Sequence, residues 1–300
     1  MLSIKNLTHT YPNGVQALRN VTLDVPKGMF GLLGPNGAGK SSLMRTIATL
    51  QQPTSGTITF GDTDVLKDPD TIRRTLGYLP QDFGVYPRGS AYDLLDHLAV
   101  LKGITNSKER KQVVEGLLVQ TNLFEVRKKK LSTYSGGMRQ RFGIAQALIG
   151  DPQLIIVDEP TAGLDPEERN RFHNLLAEIG EDVVVILSTH IVDDVADLCP
   201  NMAIMAGGEI ISKGTPTELT KALDGAIWKK VIDKADLDTY KKTHNVISSH
   251  LSVGKTVIYV NAASNPGEGF EASTPSLEDV YFSAIADSRN GSDTAAATAA

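Results

Sequence analysis

The stretch GLLGPNGAGKSS, residues 31–42, constrains the fold and chemistry of this chain more than any other segment. It follows a strand-like run, GMFGLL, and precedes a helical stretch, SSLMRTIATL. Gly34, Gly39, Lys40 and Ser41 match G-x-x-x-x-G-K-[ST], a pattern in which backbone N–H groups point at phosphate oxygens and the next helix presents its positive end. Lys40 is then expected to reach the β- and γ-phosphates, and the Ser41 hydroxyl to bind Mg²⁺. The alternative is a glycine-rich turn with an incidental lysine, but strand, loop and helix follow in the required order.

The composition is that of an ordinary globular protein. The chain has 300 residues, of which 41% are hydrophobic, and a formal net charge of −5. This length suffices for one large domain, or for a domain with an appendage. The negative charge argues against the basic surface of a dedicated nucleic-acid-binding protein. The single cysteine, Cys199, excludes an intramolecular disulfide and fits a reducing compartment. Because no apolar run approaches the ~20 residues that span a bilayer, we expect a soluble, cytoplasmic chain.

Apolar runs rich in β-branched residues predict a parallel α/β sheet. The runs MFGLLGP, TLGYLPQ, LIIVDEP and VVVILSTH are almost continuously apolar, which is typical of strands buried on both faces. Between the second and third run, over about residues 82–150, apolar residues recur three and four apart and predict a helical insert. The segment NMAIMAGGEIISKGT predicts a hairpin that turns at Gly207 and Gly208. The main domain is therefore expected to span residues 1–220.

The remaining residues are expected to form a small α+β extension over residues 221–285. Its runs GAIWKKVI, NVISSHLSV and KTVIYVNA indicate strands, and Ser276 and Asp279 fit the capped start of a helix. Residues 286–300 are small and polar, so we expect them to be disordered.

A pair of acidic residues ends the third apolar run. Asp158 and Glu159 follow LIIV directly. Beside a phosphate loop, Asp158 can hold Mg²⁺ through water, and Glu159 can polarise a water for in-line attack on the γ-phosphate. The alternative interpretation is a polar strand end that caps a turn before Pro160. With the phosphate loop present, we predict that Asp158 is a metal-binding residue and Glu159 a catalytic residue.

The stretch YSGGMRQR, residues 134–141, opens a further predicted helix. Its Ser135, Gly136 and Gly137 carry little bulk, so that backbone donors and a hydroxyl can approach a phosphate oxygen. Together with the phosphate loop and the acid pair, it resembles the ATP-binding subunits of ABC transporters, whose signature sequence is usually written LSGGQ. Tyr134 and Met138 depart from that signature. The alternative is an ordinary serine cap on an amphipathic helix.

The resemblance covers about residues 1–220 and implies roles for further residues. Gln81, in YLPQ, corresponds to the glutamine that senses Mg²⁺ and the membrane partner. Asp165, in AGLD, corresponds to the loop that crosses to the neighbouring subunit, and His190, in LSTH, to the switch histidine that meets the γ-phosphate. Tyr11 corresponds to the aromatic residue that stacks on adenine, with a buried or turn tyrosine as the alternative.

The fold implied by the resemblance is α/β, a P-loop NTPase of the ATP-binding cassette type. It has a RecA-like mixed sheet core with a helical insert, and here a small α+β extension. ATP and Mg²⁺ are the implied ligands. The nucleotide-binding residues implied in the phosphate loop are Gly34, Pro35, Asn36, Gly37, Ala38, Gly39, Lys40, Ser41 and Ser42. The other histidines, which are interpreted as structural or solvated, are His9, His97, His173, His244 and His250.

The resemblance also implies how the chain works. Each ATP is sandwiched between Lys40 of one subunit and Ser135 of another, because in the family the phosphate loop and signature of one subunit do not meet on the same nucleotide. The partner is a second copy of the chain or a homologue. Closure and hydrolysis then move separate transmembrane permease subunits, which hold the chain peripherally on the inner face of the cell membrane. Phe83, Val85 and Tyr86 are expected to form part of the groove that receives them.

The subfamily and the competing functions are indicated less directly. The segments PSLEDVYF and QDFGVYP resemble the branch of exporters for drugs, antibiotics and polysaccharides. One alternative is a soluble ATPase of this type that acts on nucleic acid or ribosomes. A second is a P-loop phosphotransferase or a binding module without turnover, against which Glu159 and His190 argue. No nucleic-acid partner is expected, and the transported substrate is not encoded in this chain.

Overall fold

A computed structural model describes residues 1–81, 84, 89–161 and 164–298. Phe83, Val85 and Tyr86, predicted to line a docking groove, lie outside the described residues. The strands, in chain order, are β1 (Leu2–Thr10), β2 (Gln16–Val25), β3 (Gly28–Leu33), β4 (Ser55–Phe60), β5 (Thr63–Asp64), β6 (Leu76–Leu79), β7 (Leu154–Asp158), β8 (Val184–Thr189), β9 (Asn201–Ala206), β10 (Glu209–Gly214), β11 (Ile227–Ile232), β12 (Val246–Ser252), β13 (Lys255–Asn261) and β14 (Glu271–Ala272). The α-helices are α1 (Lys40–Ile47), α2 (Pro69–Thr75), α3 (Ala91–Leu101), α4 (Ser107–Gln120), α5 (Gly136–Ala147), α6 (Pro166–Ile179), α7 (Val192–Leu198), α8 (Pro216–Lys221), α9 (Leu237–Thr243) and α10 (Leu277–Thr298).

The central sheet has the strand order β10-β9-β3-β8-β7-β6. Its strands run parallel, except that β10 returns antiparallel to β9 after the turn at Gly207 and Gly208. The strands predicted from the four apolar runs and the predicted hairpin are confirmed. Since the carboxyl ends of β3, β7 and β8 lie side by side, the residues that follow these strands meet at one edge of the sheet.

A second, antiparallel sheet covers one face of the central sheet. Its order is β2-β1-β4-β5, and β1 alternates buried residues such as Leu2 and Ile4 with more exposed ones. The helix α1 is buried in the cluster between the two sheets through Leu43 and Ile47. This packing fixes the position of the helix that follows the phosphate loop.

The helices α3, α4 and α5 form the predicted helical insert. Each begins at a side-chain cap: Ser90, Asn106 and Ser135 accept hydrogen bonds from first-turn N–H groups. Apolar residues of all three helices form a separate core around Phe142. Lys102 Nζ, at the end of α3, donates to the backbone oxygens of Arg73 and Leu76 at 2.7 Å and so joins the insert to the sheet edge.

The C-terminal extension divides between two cores. Its sheet, in the order β12-β13-β11-β14, has a small core of its own around Ile258 and Phe270. The helix α10, by contrast, buries Leu277, Tyr281 and Ile285 in the same cluster as the central strands. The end of the chain therefore stabilises the cassette itself.

The start of α10 agrees with the sequence, whereas its end does not. The Ser276 hydroxyl accepts from Asp279 N, and the Asp279 carboxylate accepts from Ser276 N, as the predicted cap requires. The helix then continues to Thr298, through most of the segment 286–300 that we expected to be disordered. The alanines at 295–297 favour helix, but Asn290, Gly291 and Asp293 in the same segment do not, so local propensity alone does not account for this end of α10.

Within the described part of the chain, none of the helices has both the length and the apolar character that crossing a bilayer requires.

The packing of α10 predicts that Ile285→Ala destabilises the cassette. Because Ile285 is 7% exposed in the core cluster, the substitution should lower the free energy of unfolding by about 2–5 kcal/mol, the range for large core truncations. The control is Asp287→Ala on the exposed face of the same helix, with an expected change within about 0.5 kcal/mol. Urea unfolding measures both. Equal losses in the two variants would contradict the packing of α10 described here.

Candidate active site

The phosphate loop runs from the end of β3 to the start of α1. Gly39 occupies the N-cap position of α1 with φ 103°, and within the described residues no side chain caps this helix. Uncapped first-turn N–H groups are the donors that bind anions at helix N-termini. The loop therefore presents a phosphate-sized set of backbone donors at the edge of the central sheet.

Two glycines of the loop are required by close packing against backbone. A Cβ on Gly34 would lie 2.3 Å from the Met205 oxygen, and one on Gly39 would lie 2.4 Å from the Ala17 oxygen. Both distances are far below normal contact. The loop is therefore held against β9 and β2, and its path depends on the missing side chains.

Lys40 is folded back into this loop. Its ammonium donates to the Gly34 oxygen at 2.6 Å and to the Pro35 oxygen at 3.3 Å, and it lies 3.4 Å from Glu159 Oε1. Lys40 and Glu159 are each 5% exposed. The buried cation is thus paired with oxygens of the protein at the place where the pattern predicts phosphate oxygens.

Glu159 follows the end of β7 in an unusual conformation. Its φ is 51°, and its N–H donates to the Ser188 oxygen on the neighbouring strand at 2.8 Å. The second carboxylate oxygen, Oε2, lies 2.5 Å from Nδ1 of His190, which directly follows β8. A non-glycine residue at positive φ is strained and is commonly found where a side chain must be aimed. Glu159 is therefore aimed between Lys40 and His190.

A cavity of about 690 Å³ lies over the loop. Its lining includes every residue from Pro35 to Ser42, together with Gln81 and Glu159. A larger cavity, of about 840 Å³, lies between β12 and α10 and is lined at one end by Pro35. Among its described lining residues, Pro35 is the only one predicted to bind nucleotide. The smaller cavity is therefore the candidate site.

The residues predicted to bind Mg²⁺ fit a hard, oxygen-binding cation. Asp158 is 3% exposed, and its Oδ1 has no hydrogen-bond partner among the described residues. Ser41 and Gln81 line the phosphate-loop cavity. They offer a hydroxyl and an amide oxygen. Within the described residues, no group of three or more His, Cys, Asp and Glu side chains forms a metal cluster. A cation here would use this mixed oxygen set together with phosphate oxygens.

Tyr11 lies beside the loop without lining the cavity. Its hydroxyl is 2.9 Å from Ser42 Oγ and donates to Gln51 Oε1 at 3.3 Å. Its ring meets the buried ring of His9 edge to face, at 4.6 Å between centroids. These contacts place an aromatic ring near the end of the phosphate loop.

The signature residues and Asp165 stand apart from this cavity. Ser135 caps α5 by accepting from Met138 N at 3.2 Å, and Asp165 caps α6 by accepting from Glu168 N at 2.9 Å. Ser135, Gly136, Gly137 and Asp165 are absent from the described lining of the phosphate-loop cavity. The structure thus gathers one set of predicted residues at the sheet edge and places the other set at the starts of two helices.

Tyr134 shows why the signature departs from the usual pattern. This residue is 4% exposed and packs in the core of the helical insert. Its hydroxyl donates to the Val126 oxygen at 3.0 Å. The side chain before Ser135 therefore has a packing role and points away from the surface.

Sequence reasoning missed one buried polar group near the site. Asp194, on α7, is 0% exposed and accepts hydrogen bonds from residues on several elements. Its partner His173 was interpreted as structural or solvated, and it is indeed buried, with Nε2 2.9 Å from Asp194 Oδ1. Nothing in the sequence marks Asp194, because its partners come together only in the folded chain.

Comparisons with known proteins identify the family of this chain. The family model described as ABC transporter matches residues 18–162. The linearmycin resistance ATP-binding protein LnrL of Bacillus subtilis is 35% identical over 227 residues, which cover 75% of this chain and 72% of LnrL. YxlF of the same organism, an ABC transporter ATP-binding protein, is 33% identical over 310 residues, covering 95% and 99% of the two chains.

Solved structures show the same similarity. The ATP-binding cassette MJ0796, solved as a dimer in a post-hydrolysis state with ADP and Pi, matches with a TM-score of 0.66 and 28% identity. The match covers 72% of this chain and 98% of MJ0796.

The loop geometry predicts unequal effects of two glycine substitutions on nucleotide binding. Gly37→Ala meets no atom within 4 Å and adds only the strain of φ 81°, about 1–2 kcal/mol. Gly39→Ala adds comparable strain and also a collision with the Ala17 oxygen. We therefore expect Gly39→Ala to weaken ATP binding at least ~10-fold more than Gly37→Ala, as 1.4 kcal/mol corresponds to tenfold. Titration with a fluorescent ATP analogue measures both. Similar dissociation constants would show that the collision does not exist.

Proposed function

The chain belongs to the ABC transporter family of ATP-hydrolysing cassettes, and we propose that Lys40, Glu159 and His190 carry out the reaction at the edge of its central sheet. It binds ATP, and its relatives include ATPases of drug and antibiotic exporters. The observation that carries the assignment of residues is the contact of one buried carboxylate, that of Glu159, with both Lys40 and His190.

In the proposed reaction the triphosphate lies along the loop between Pro35 and Ser42. Lys40 exchanges its backbone partners for β- and γ-phosphate oxygens. A buried ammonium needs oxygen partners both with and without bound nucleotide. The uncapped N–H groups at the start of α1 donate to the phosphates. Tyr11, next to Ser42, stacks on the adenine.

Ser41, Gln81 and Asp158 would hold Mg²⁺. When bound, this ion neutralises charge on the β- and γ-phosphates. The orphaned Oδ1 of Asp158 supports this proposal, because a buried carboxylate oxygen without a partner is costly unless a cation or a water fills the position.

Glu159 acts as the general base in this proposal. Its carboxylate accepts a proton from the attacking water, and His190, bonded to Oε2, holds the carboxylate in place and contacts the γ-phosphate. The strained backbone of Glu159 fixes the direction in which it accepts the proton. Lys40 stabilises the charge that the transferred phosphoryl group carries.

The proposed working unit contains two cassettes. Ser135, Gly136, Gly137 and Asp165 lie outside the phosphate-loop cavity, so a complete site needs these residues from a second cassette, either another copy or a homologue. The dimer reported for MJ0796 supports this arrangement. ATP bridges the two cassettes, and its hydrolysis releases them.

We further propose that the chain works on the inner face of a membrane through transmembrane permease subunits. A groove of about 300 Å³ lies between β6 and the helical insert, lined by Leu76, Leu98, Leu101 and Ile149 among others. Leu101 is 69% exposed and lies together with Leu76, Leu98 and Ile149 along this groove, so a docked helix could bury its side chain. This groove is the proposed site for a cytoplasmic helix of the permease.

The proposed transport is export of an antibiotic-like compound. The name of LnrL, a linearmycin resistance protein, supports this direction. The permease subunits set the substrate, because the cassette supplies only the work. The alternative function, action on nucleic acid or ribosomes, has no support from the comparisons, and the net charge of −5 also disfavours it.

Substitution of the proposed base should separate binding from hydrolysis. Glu159→Gln keeps the shape of the side chain but removes the proton acceptor, so we expect kcat to fall roughly 10²–10⁴-fold while ATP still binds. The variant should then accumulate as an ATP-bound dimer on a sizing column. The control is Glu167→Gln, whose exposed side chain pairs only with Arg171 among the described contacts. An active Glu159→Gln variant would refute the assignment, and failure to trap a dimer would refute the two-cassette site.

The proposed groove predicts that Leu101 is needed for binding of the permease but not for ATP hydrolysis. Leu101→Ser should weaken co-purification with the permease, because its side chain would no longer be buried by the docked helix. Val119→Ser, on α4 outside the groove, is the matched control, since Val119 is 62% exposed and Leu101 69%. Both variants should keep the ATPase rate of the isolated cassette. Equal retention of the permease by the two variants would exclude this groove.

A further inference from the structure

Asp194 is a buried carboxylate next to the candidate active site that the reaction itself does not use. It lies in the first turn of α7 and is 0% exposed. A carboxylate at this depth is costly unless it is fully paired. Its hydrogen-bond partners therefore indicate which segments of the chain it holds together.

Each oxygen of Asp194 has its own pair of partners. Oδ1 accepts from Arg169 Nε at 2.8 Å and lies 2.9 Å from His173 Nε2. Oδ2 accepts from the Thr161 hydroxyl at 2.5 Å and from the Thr189 hydroxyl at 3.4 Å. Burial, and secondly the charge of Asp194, raises the pKa of the nearby Cys199 thiol to about 12. Both oxygens of the buried Asp194 carboxylate are thus paired with polar partners.

These partners lie next to the proposed catalytic residues. Thr161 is two residues after Glu159, and Thr189 directly precedes His190. The Thr189 hydroxyl also accepts from Ile191 N at 3.0 Å, which fixes the backbone on the other side of His190. Asp194 therefore ties together the two backbone segments that bring Glu159 and His190 into contact.

The third segment held by Asp194 is α6. Arg169 and His173 lie on this helix, which begins at its cap residue Asp165. The helix α6, which Asp165 caps, is thus bonded to the Asp194 carboxylate. The segments that follow Glu159 and precede His190 are bonded to the same carboxylate. Buried polar networks favour a single arrangement where their groups are paired. Here both Asp194 oxygens are paired, whereas Arg169 Nη2 has no hydrogen-bond partner among the described residues.

We propose that Asp194 is a positioning residue for ATP hydrolysis, which holds the backbones after β7 and β8 so that Glu159 and His190 stay in contact. The proposal rests on the proposed roles of Glu159 and His190. Glu159 needs such support because its φ of 51° is unfavourable unless the surroundings impose it.

The first test replaces Asp194 by Asn, which keeps its size but removes the charge and one acceptor. We expect kcat to fall roughly 10- to 100-fold, a range comparable to the loss of a hydrogen bond to a charged group, with the KM for ATP within about threefold. Asp182→Asn, at an exposed position before β8, should keep the rate of the unmodified chain. A folded Asp194→Asn chain with an unchanged kcat, or with a loss in KM alone, would overturn the proposal.

A second pair of variants keeps the test decisive if Asp194→Asn does not fold. Thr161→Val removes one donor with little change in shape, and Thr161→Ser retains the hydroxyl. We expect the Val variant to lose kcat several-fold and to unfold at a lower urea concentration, because the buried carboxylate loses a donor. The Ser variant should recover most of both losses, and the rates are compared under conditions where all variants are folded. Equal rates for Val and Ser would overturn the proposal. Glu159→Gln in the same assay separates the two hypotheses: if it stays active, the proposed function has failed as well.

Discussion

The contact between Lys40 and Glu159 is the interaction on which the rest of the site depends. Two opposite charges, each 5% exposed, lie 3.4 Å apart at the edge of the central sheet. Neither charge is stable there alone, because burial without a partner costs several kcal/mol per ion. The loop carbonyls hold the ammonium and His190 holds the carboxylate. In the proposed reaction a triphosphate offers Lys40 equivalent oxygens, so the arrangement would favour phosphate.

The sheet creates this contact through its register. Leu33 of β3 pairs with Thr189 of β8, and Asp158 of β7 pairs with Ser188. The residues that follow these three strands therefore emerge at the same height, although they are far apart in the sequence. The glycines of the loop then allow the chain to pass close to the Met205 and Ala17 oxygens before α1 begins. Position in the sheet thus determines which side chains meet.

Much of this arrangement follows from local sequence, and the parts that do not are long-range. Continuous apolar runs predicted β3, β6, β7 and β8, and the phosphate-loop pattern predicted Gly39, Lys40 and Ser41, which line the cavity. The cap at Ser276 was also predicted, since a cap depends on residues within one turn. The cap at Ser135 had been considered only as the alternative to a phosphate-binding role. Asp194 was not predictable, because its partners come from separate segments. The core that α10 joins was likewise not predictable, because its partners are strands far away in the sequence.

The elements that lie outside the cavity are nevertheless bonded to it through α6. At the start of this helix, the Glu168 carboxylate lies against Gly137 and 3.4 Å from Arg141, both on the signature helix α5. Arg169, the next residue, and His173, just over one turn further, bond to Asp194. A displacement of the signature by a second cassette would therefore act on α6, and α6 acts on the backbones that flank Glu159 and His190. Packed interfaces of this kind adopt discrete arrangements. Such a connection therefore transmits a switch between two arrangements more readily than a small continuous displacement.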